Sequence, residues 1–369
     1  MITHKKVEFT ELFYDLVFVY ALSKITNLIH HLEGGVISPI NLLTFLLAMF
    51  ILLNTWMLQT VFTNRYGRNS KQDMVIMFVE MGLLLLVANS VTTDWQGVRF
   101  PFTLMVVFLS LTLLTQYFIQ YRQGDAKDKL AIKGYLWGLG LRCLLVFTSL
   151  FFPYQIGLVF YFLGLVVGIV APIFFQRDMA NVAINFPHLV ERLSLLVIVA
   201  IGEMIVSGVA PVFTLDNFSL ASVLNFLIVV LIFLYYFGEM DHAVDESKET
   251  LGIRMIYLHY PIMIGISLMT VSLSFLTAAE EVNPYFLLAL LYTGLAAFFG
   301  GTLALYPYNK SIFAFDRAYR FRQFLAYGLS FLVSFFFVDK PLVILLSVLF
   351  MATFLVGQFL KLYFQYHKA

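Results

Sequence analysis

The chain of 369 residues is 61% hydrophobic and 17% aromatic but only 12% charged. Charge at about half its usual share excludes a water-soluble domain of this size and leaves a polytopic membrane protein. The formal net charge of +1 gives no footprint for a nucleic-acid partner, and the single cysteine, Cys143, excludes an intramolecular disulfide framework and a cysteine-based metal cluster.

A helix needs about 20 mostly apolar residues to cross the hydrocarbon core. Stretches of that length lie at 9–31, 39–62, 72–92, 98–121, 133–152 and 155–176. They resume at 187–210, 219–240, 253–277, 284–305, 321–338 and 341–363. The expected fold is therefore all-α, with twelve transmembrane helices. Lys5 and Lys6 precede the first span as in a signal peptide, but Glu11 and Asp15 interrupt the apolar run and no small-x-small cleavage site follows. The first span is accordingly read as retained. Only short turns with Pro153 and Pro341 divide the fifth span from the sixth and the eleventh from the twelfth.

The basic residues orient this arrangement. Lys24, Arg142 and Arg192 fall within spans; of the remaining Lys and Arg, only Arg99 and Lys340 fall on the side opposite the N-terminus. Cytoplasmic loops carry the excess of Lys and Arg, so both termini are expected in the cytoplasm. Merging either pair of close spans would reverse every later loop and spoil the bias.

Twelve spans divide into two six-helix halves, 1–180 and 181–369. At an offset of 177, Phe9 matches Phe186, Leu12 matches Leu189, Leu16 matches Leu193 and Lys71 matches Lys248. An even number of spans gives both halves one orientation, so the expectation is a pair of pseudo-symmetric parallel repeats.

Ionisable groups near the bilayer centre cost roughly 2.5 kcal/mol or more each and mark functional positions. In the first span Glu11 and Asp15 stand one turn apart on one face. In "HLVERLSLLVIVAIGE" of the seventh span, His188 and Arg192 share that spacing. The offset pairs Glu11 with His188 and Asp15 with Arg192, acid against base each time, with Glu191 beside them. Lys24 and Glu203 share a depth in the outer half, yet Lys24 lies about 900° of turn beyond Asp15, on the opposite face. Glu80 and Arg142, each nine residues past the lysine that opens its helix, form a third candidate pair near the midplane. His259 and the "YYFGEMDH" segment with Glu239, Asp241 and His242 lie near the inner cluster. Such pairs can serve as assembly devices, and buried carboxylates can carry protons.

The sequence contains no phosphate-binding glycine loop, nucleophile elbow or HExxH. No cofactor and no metal is expected. "ELFYDLVFV" (Glu11 to Val19) and "HLVERLSLLVIVAIGE" (His188 to Glu203) do resemble the two signature segments of the bacterial low temperature requirement protein A family (LtrA). Those segments read ELFxDLxFV near the start and HxxER followed by GE in the second half. "TNRYGR" after the second span resembles that family's loop. The resemblance implies a bacterial inner-membrane protein and marks Glu11, Asp15, His188, Glu191, Arg192, Gly202 and Glu203 as signature positions. The family name records a growth phenotype and supplies no substrate.

The expected function is secondary transport of an unidentified small solute, with proton coupling through Glu203 or Glu80. The alternative is a non-transporting membrane scaffold or stress-related partner-binding protein, which predicts dry packing along the charged seam. A membrane-embedded enzyme using His188, Glu191 and His259 as metal ligands ranks last. The expected partners are the lipid bilayer and a solute or proton.

Overall fold

The computed structural model describes residues 5–92, 95–277 and 281–366. Its long helices, in chain order, are α1 (Phe9–Thr26), α2 (Pro39–Tyr66), α3 (Lys71–Ser90), α4 (Trp95–Gln123), α5 (Ala126–Thr148) and α6 (Tyr154–Phe174). They continue as α7 (Phe186–Met204), α8 (Leu220–Phe237), α9 (Ile253–Thr277), α10 (Pro284–Leu303), α11 (Arg317–Phe336) and α12 (Pro341–Tyr366). Local chemistry sets several of the starts. Ser70 and Asp73 form a capping box at α3, and the side chains of Asp125, Ser219, Asn283 and Asp316 accept the first free N–H groups of α5, α8, α10 and α11. Each supplies a partner that a helix start otherwise lacks. Prolines 39, 284 and 341 stand at first helical positions, where no N–H is needed.

Eleven helices among the described residues are long and apolar enough to cross a membrane. The chain is a multi-pass α-helical membrane protein. The helix outside that count is α11, where a twelfth span is expected at 321–338. Its first two turns carry Arg317, Arg320, Arg322 and Gln323, and Ser330 and Ser334 follow, so length alone is not matched by hydrophobicity.

The chain forms two compact units. The first comprises the described part of Met1–Leu28 with Pro39–Arg192 and Glu249–Ile253. Within it α1 packs on α3, α3 on α4, α4 on α5 and α5 on α6, while α2 touches α1, α4 and α6. This inner position explains why α2 buries polar side chains, Asn54, Thr55, Gln59, Thr60, Thr63 and Asn64, beside the fully buried Trp56. The outward faces of α3 and α6 present Val75, Phe78, Val159 and Phe162, which suits acyl chains and not water.

The second unit comprises Ile29–Ser38, Leu193–Lys248 and Arg254–Ala369. Here α8 packs on α12, and α11 on both α10 and α12. A two-residue hairpin, β1 (Leu32–Glu33) and β2 (Val36–Ile37), turns on Gly34 and Gly35 with φ of 61° and 80°. Two consecutive positive φ values are what a type I′ turn requires, and glycine meets them without strain. The chain after α7 and α8 widens into π-helical turns at Ile205–Val209 and Gly238–Ala243. Asn225 Nδ2 donates to the Gly208 carbonyl within the first of these, at 3.0 Å.

Candidate functional site

Three helices of the first unit supply a buried polar cluster. α1 contributes Glu11 and Asp15, one turn apart and 3% and 1% exposed. α7 contributes His188 and Arg192, both fully buried. The start of α7 fixes their direction: Asn185 Oδ1 accepts from His188 N at 3.2 Å, an N-cap three residues ahead, and Pro187 lies in the first turn. α2 contributes Trp56, Thr60 and Asn64, each four residues from the next and so on one face.

Arg192 is the hub. One terminal nitrogen, Nη2, lies 2.9 Å from Asp15 Oδ1 and donates to Thr60 Oγ1 at 3.4 Å. Nε lies 3.4 Å from Glu11 Oε2, and the guanidinium sits 5.2 Å from the centre of the Trp56 ring. Trp56 Nε1 donates to the same Asp15 Oδ1 at 2.8 Å. Glu11 Oε2 also lies 3.2 Å from His188 Nε2. Asp15 thus accepts a hydrogen bond from Trp56 beside its ion pair with Arg192, whereas the Glu11 contacts fall off the hydrogen-bond direction and act as close charge contacts.

Asn64 determines the histidine's tautomer. Its Oδ1 accepts from Asn185 N and its Nδ2 donates to Asn185 O, each at 2.8 Å. A backbone N–H can only donate and a C=O can only accept, so the amide cannot be turned over. Its Nδ2 also lies 3.0 Å from His188 Nδ1, which must therefore be the acceptor. That leaves the ring proton on Nε2, toward Glu11.

Glu11 also lines a cavity at the edge of this cluster. A polar cavity of about 150 Å³ is lined by Lys5, Glu8, Thr10, Glu11, Asn69 and Asp73 among others. Lys5 Nζ donates to the Thr63 and Gly67 carbonyls at the end of α2. Burial holds the Lys5 ammonium below its ordinary lysine range, against the raising influence of Glu11, Glu8 and Asp73. Asn69, the one described non-glycine residue with positive φ (50°), donates to Glu8 Oε2 at 3.0 Å and accepts from Thr10 Oγ1 at 3.2 Å.

A family model for the bacterial low temperature requirement A protein (LtrA) matches residues 6–361. The chain belongs to the LtrA family. It is also similar to an uncharacterized protein of Rhizobium meliloti (strain 1021), 27% identical over 308 residues that cover 76% of this chain and 71% of the relative. No solved structure matches it. Of the LtrA signature positions, Glu11, Asp15, His188 and Arg192 make the cluster, with Glu191 half-buried beside it. At Gly202 an added Cβ would meet nothing within 4 Å, and nothing in the structure explains the glycine there.

The remaining candidates lie elsewhere. Lys24 is exposed, with Nζ 5.5 Å from the Tyr20 ring centre. In the second unit, Glu203 is half-buried and accepts from Ser207 Oγ. The expected Glu80–Arg142 pair does not form among the described residues. Arg142 turns to α2, where Nη1 donates to Asn54 Oδ1 at 2.5 Å and Nη2 to Thr55 Oγ1 at 3.4 Å. Glu80 is fully buried with neither oxygen in a hydrogen bond among the described residues. Equal depth along two helices says nothing about which way each side chain points, and here they point apart.

The second unit holds its own polar group. His259, fully buried on α9, has Nδ1 2.7 Å from the Met255 carbonyl and Nε2 2.8 Å from Tyr236 Oη. The carbonyl fixes the proton on Nδ1 and makes Nε2 the acceptor of the tyrosine hydroxyl. Glu239 is buried nearby in sequence, and Asp241 pairs with His242 at 3.2 Å in partly exposed positions. Among the described residues, no three His, Cys, Asp or Glu side chains are grouped to hold a metal ion.

Trp56, Thr60 and Asn64 stand outside the charge pattern of the sequence. Their four-residue spacing on one helix was the available signal. In "TNRYGR", the segment that resembles a family loop, the first asparagine works as a structural clamp.

Proposed function

We propose that this LtrA-family chain is a proton-coupled secondary transporter of the bacterial inner membrane, with a small solute still to be identified. In this reading it has twelve spans in two similar halves and both termini in the cytoplasm, as the basic-residue bias and the 177-residue offset support. The observation that carries the proposal is the buried cluster at the end of a polar cavity. Two carboxylates, Glu11 and Asp15, share one guanidinium, and the imidazole beside them has its Nδ1 taken up by Asn64 Nδ2. The cluster's own charges do not cancel until it takes up one proton, and Asp15 Oδ2 and Glu11 Oε2 are free of hydrogen bonds among the described residues. A buried site with room for one more proton beside a polar cavity is what coupling of a solute to protons requires.

The test is proton and solute flux in proteoliposomes carrying an entrapped pH indicator. Imposing a gradient of the correct solute, found from a panel, drives proton movement through the wild-type protein, and Glu11→Gln abolishes the coupling while the variant remains folded. Absence of flux across the panel, or flux untouched by Glu11→Gln, overturns the proposal. The second reading, a non-transporting scaffold, draws support from how firmly the cluster is tied down. Lys5, Asn64 and Arg65 each bond to backbone carbonyls far along the chain.

A further inference from the structure

α11 is built inside out relative to a soluble amphipathic helix. It buries Gln323, Ser330 and Ser334 and exposes Phe321, Phe324, Leu329 and Phe336. The buried polar groups find partners: Tyr292 Oη lies 2.7 Å from Ser330 Oγ and 2.8 Å from Ser334 Oγ, and Tyr235 Oη donates to Gln323 Oε1 at 2.9 Å. Across to α12, Ser330 Oγ meets Ser347 Oγ at 3.0 Å. These short serines hold the helices together along one line and leave a slot beside it. The slot has a volume of about 780 Å³ and is walled by Leu325, Leu329, Val333, Leu346 and Phe350. A volume of this size is within the range of ligand sites.

The slot does not end blindly. Arg322 and Phe354 line it and also line a second depression of about 520 Å³, which adds Gln358, Lys361 and Gln365. Arg322 Nε donates to Gln358 Oε1 at 3.1 Å, which orients the guanidinium and leaves its two terminal nitrogens directed elsewhere. No acidic side chain lines either depression among the described residues. Arg320, the neighbouring cation, is occupied 4.9 Å from the Tyr306 ring centre. The result is an apolar channel that opens onto two cations and two amides.

We infer that the α11–α12 groove binds one anionic phospholipid, with an acyl chain in the slot and the phosphate on Arg322 and Lys361. The planar fork of arginine matches phosphate oxygens in a bidentate manner, and basic pockets between transmembrane helices select acidic headgroups. A zwitterionic lipid would bring its own cation against the same two residues. This site is separate from the Glu11–Arg192 cluster, and neither reading depends on the other.

The experiment is native mass spectrometry of the full chain released from bilayers containing equal phosphatidylglycerol and phosphatidylcholine. The wild-type protein retains phosphatidylglycerol roughly thirtyfold over phosphatidylcholine, the scale expected from two headgroup cations. Arg322→Gln/Lys361→Gln loses the enrichment. So does Leu329→Trp, which fills the slot and leaves both charges in place. Unfolding temperatures measured without phosphatidylglycerol match wild type and show that both variants fold. Equal retention of the two lipids by the wild type, or enrichment that survives the double substitution, overturns the inference. Displacement of the lipid by millimolar inorganic phosphate, with no effect of Leu329→Trp, also overturns it by marking a site for free anion.

Discussion

Arg192 Nη2 approaches Asp15 Oδ1 to 2.9 Å, with both side chains withdrawn from solvent. The pair also shares Trp56, whose indole donates to the acid while its ring faces the guanidinium. Removing the arginine strands the acid. Arg192→Gln leaves two buried carboxylates facing each other and is expected to cost about 3–5 kcal/mol.

Asp15→Asn is expected to be milder, because Glu11 still faces Arg192. The double variant should cost less than the sum of the two, with a coupling of roughly 1–3 kcal/mol. Unfolding followed in detergent micelles measures all three, and strict additivity would mean that the contact carries no energy.

Asn64 is expected to act through His188. Asn64→Leu removes two bonds to the Asn185 backbone and one to the imidazole, a loss of about 2–3 kcal/mol at roughly 1 kcal/mol each. Nitrogen-15 spectra of labelled histidine should place the His188 proton on Nε2 in the wild type. Asn64→Asp presents an acceptor to Nδ1, so the ring should then carry protons on both nitrogens. A wild-type spectrum with the proton on Nδ1 would contradict the hydrogen-bond pattern.

The acid–base pairing of α1 with α7 was readable because both members recur at matched places in two signature segments, four residues apart in each. The contribution of α2 was harder to see. Trp56, Thr60 and Asn64 carry no charge, and in a chain this apolar a tryptophan reads first as an interfacial anchor. Their role depends on α2 standing inside the first unit, which is a matter of packing and leaves no mark in local sequence. Depth alone suggested Glu80 with Arg142, yet the angle around each helix decides the partner, and Arg142 had the polar face of α2 available. A twelfth span at α11 is not matched, because its arginines and its buried serines lower its hydropathy.

Two glycines of neighbouring helices test the Arg142 contact. At Gly168 an added Cβ would stand 2.9 Å from Arg142 Cδ and 3.1 Å from Asn54 Oδ1. Gly168→Ala should therefore strain the Arg142–Asn54 bond and cost about 1–3 kcal/mol. At Gly140, in α5, an added Cβ meets nothing within 4 Å, so Gly140→Ala should stabilise by about 0.5–1 kcal/mol through helix propensity alone. Thermal unfolding of the two variants side by side checks both signs.

The clamp that Asn185 places on Asn64 has one more effect. A ring gripped at Nδ1 cannot swivel to collect a hydrogen ion on one side and deliver it on the other. His188 then serves as a fixed strut, and the proposed coupling has to run through the carboxylates of Glu11 and Asp15 alone.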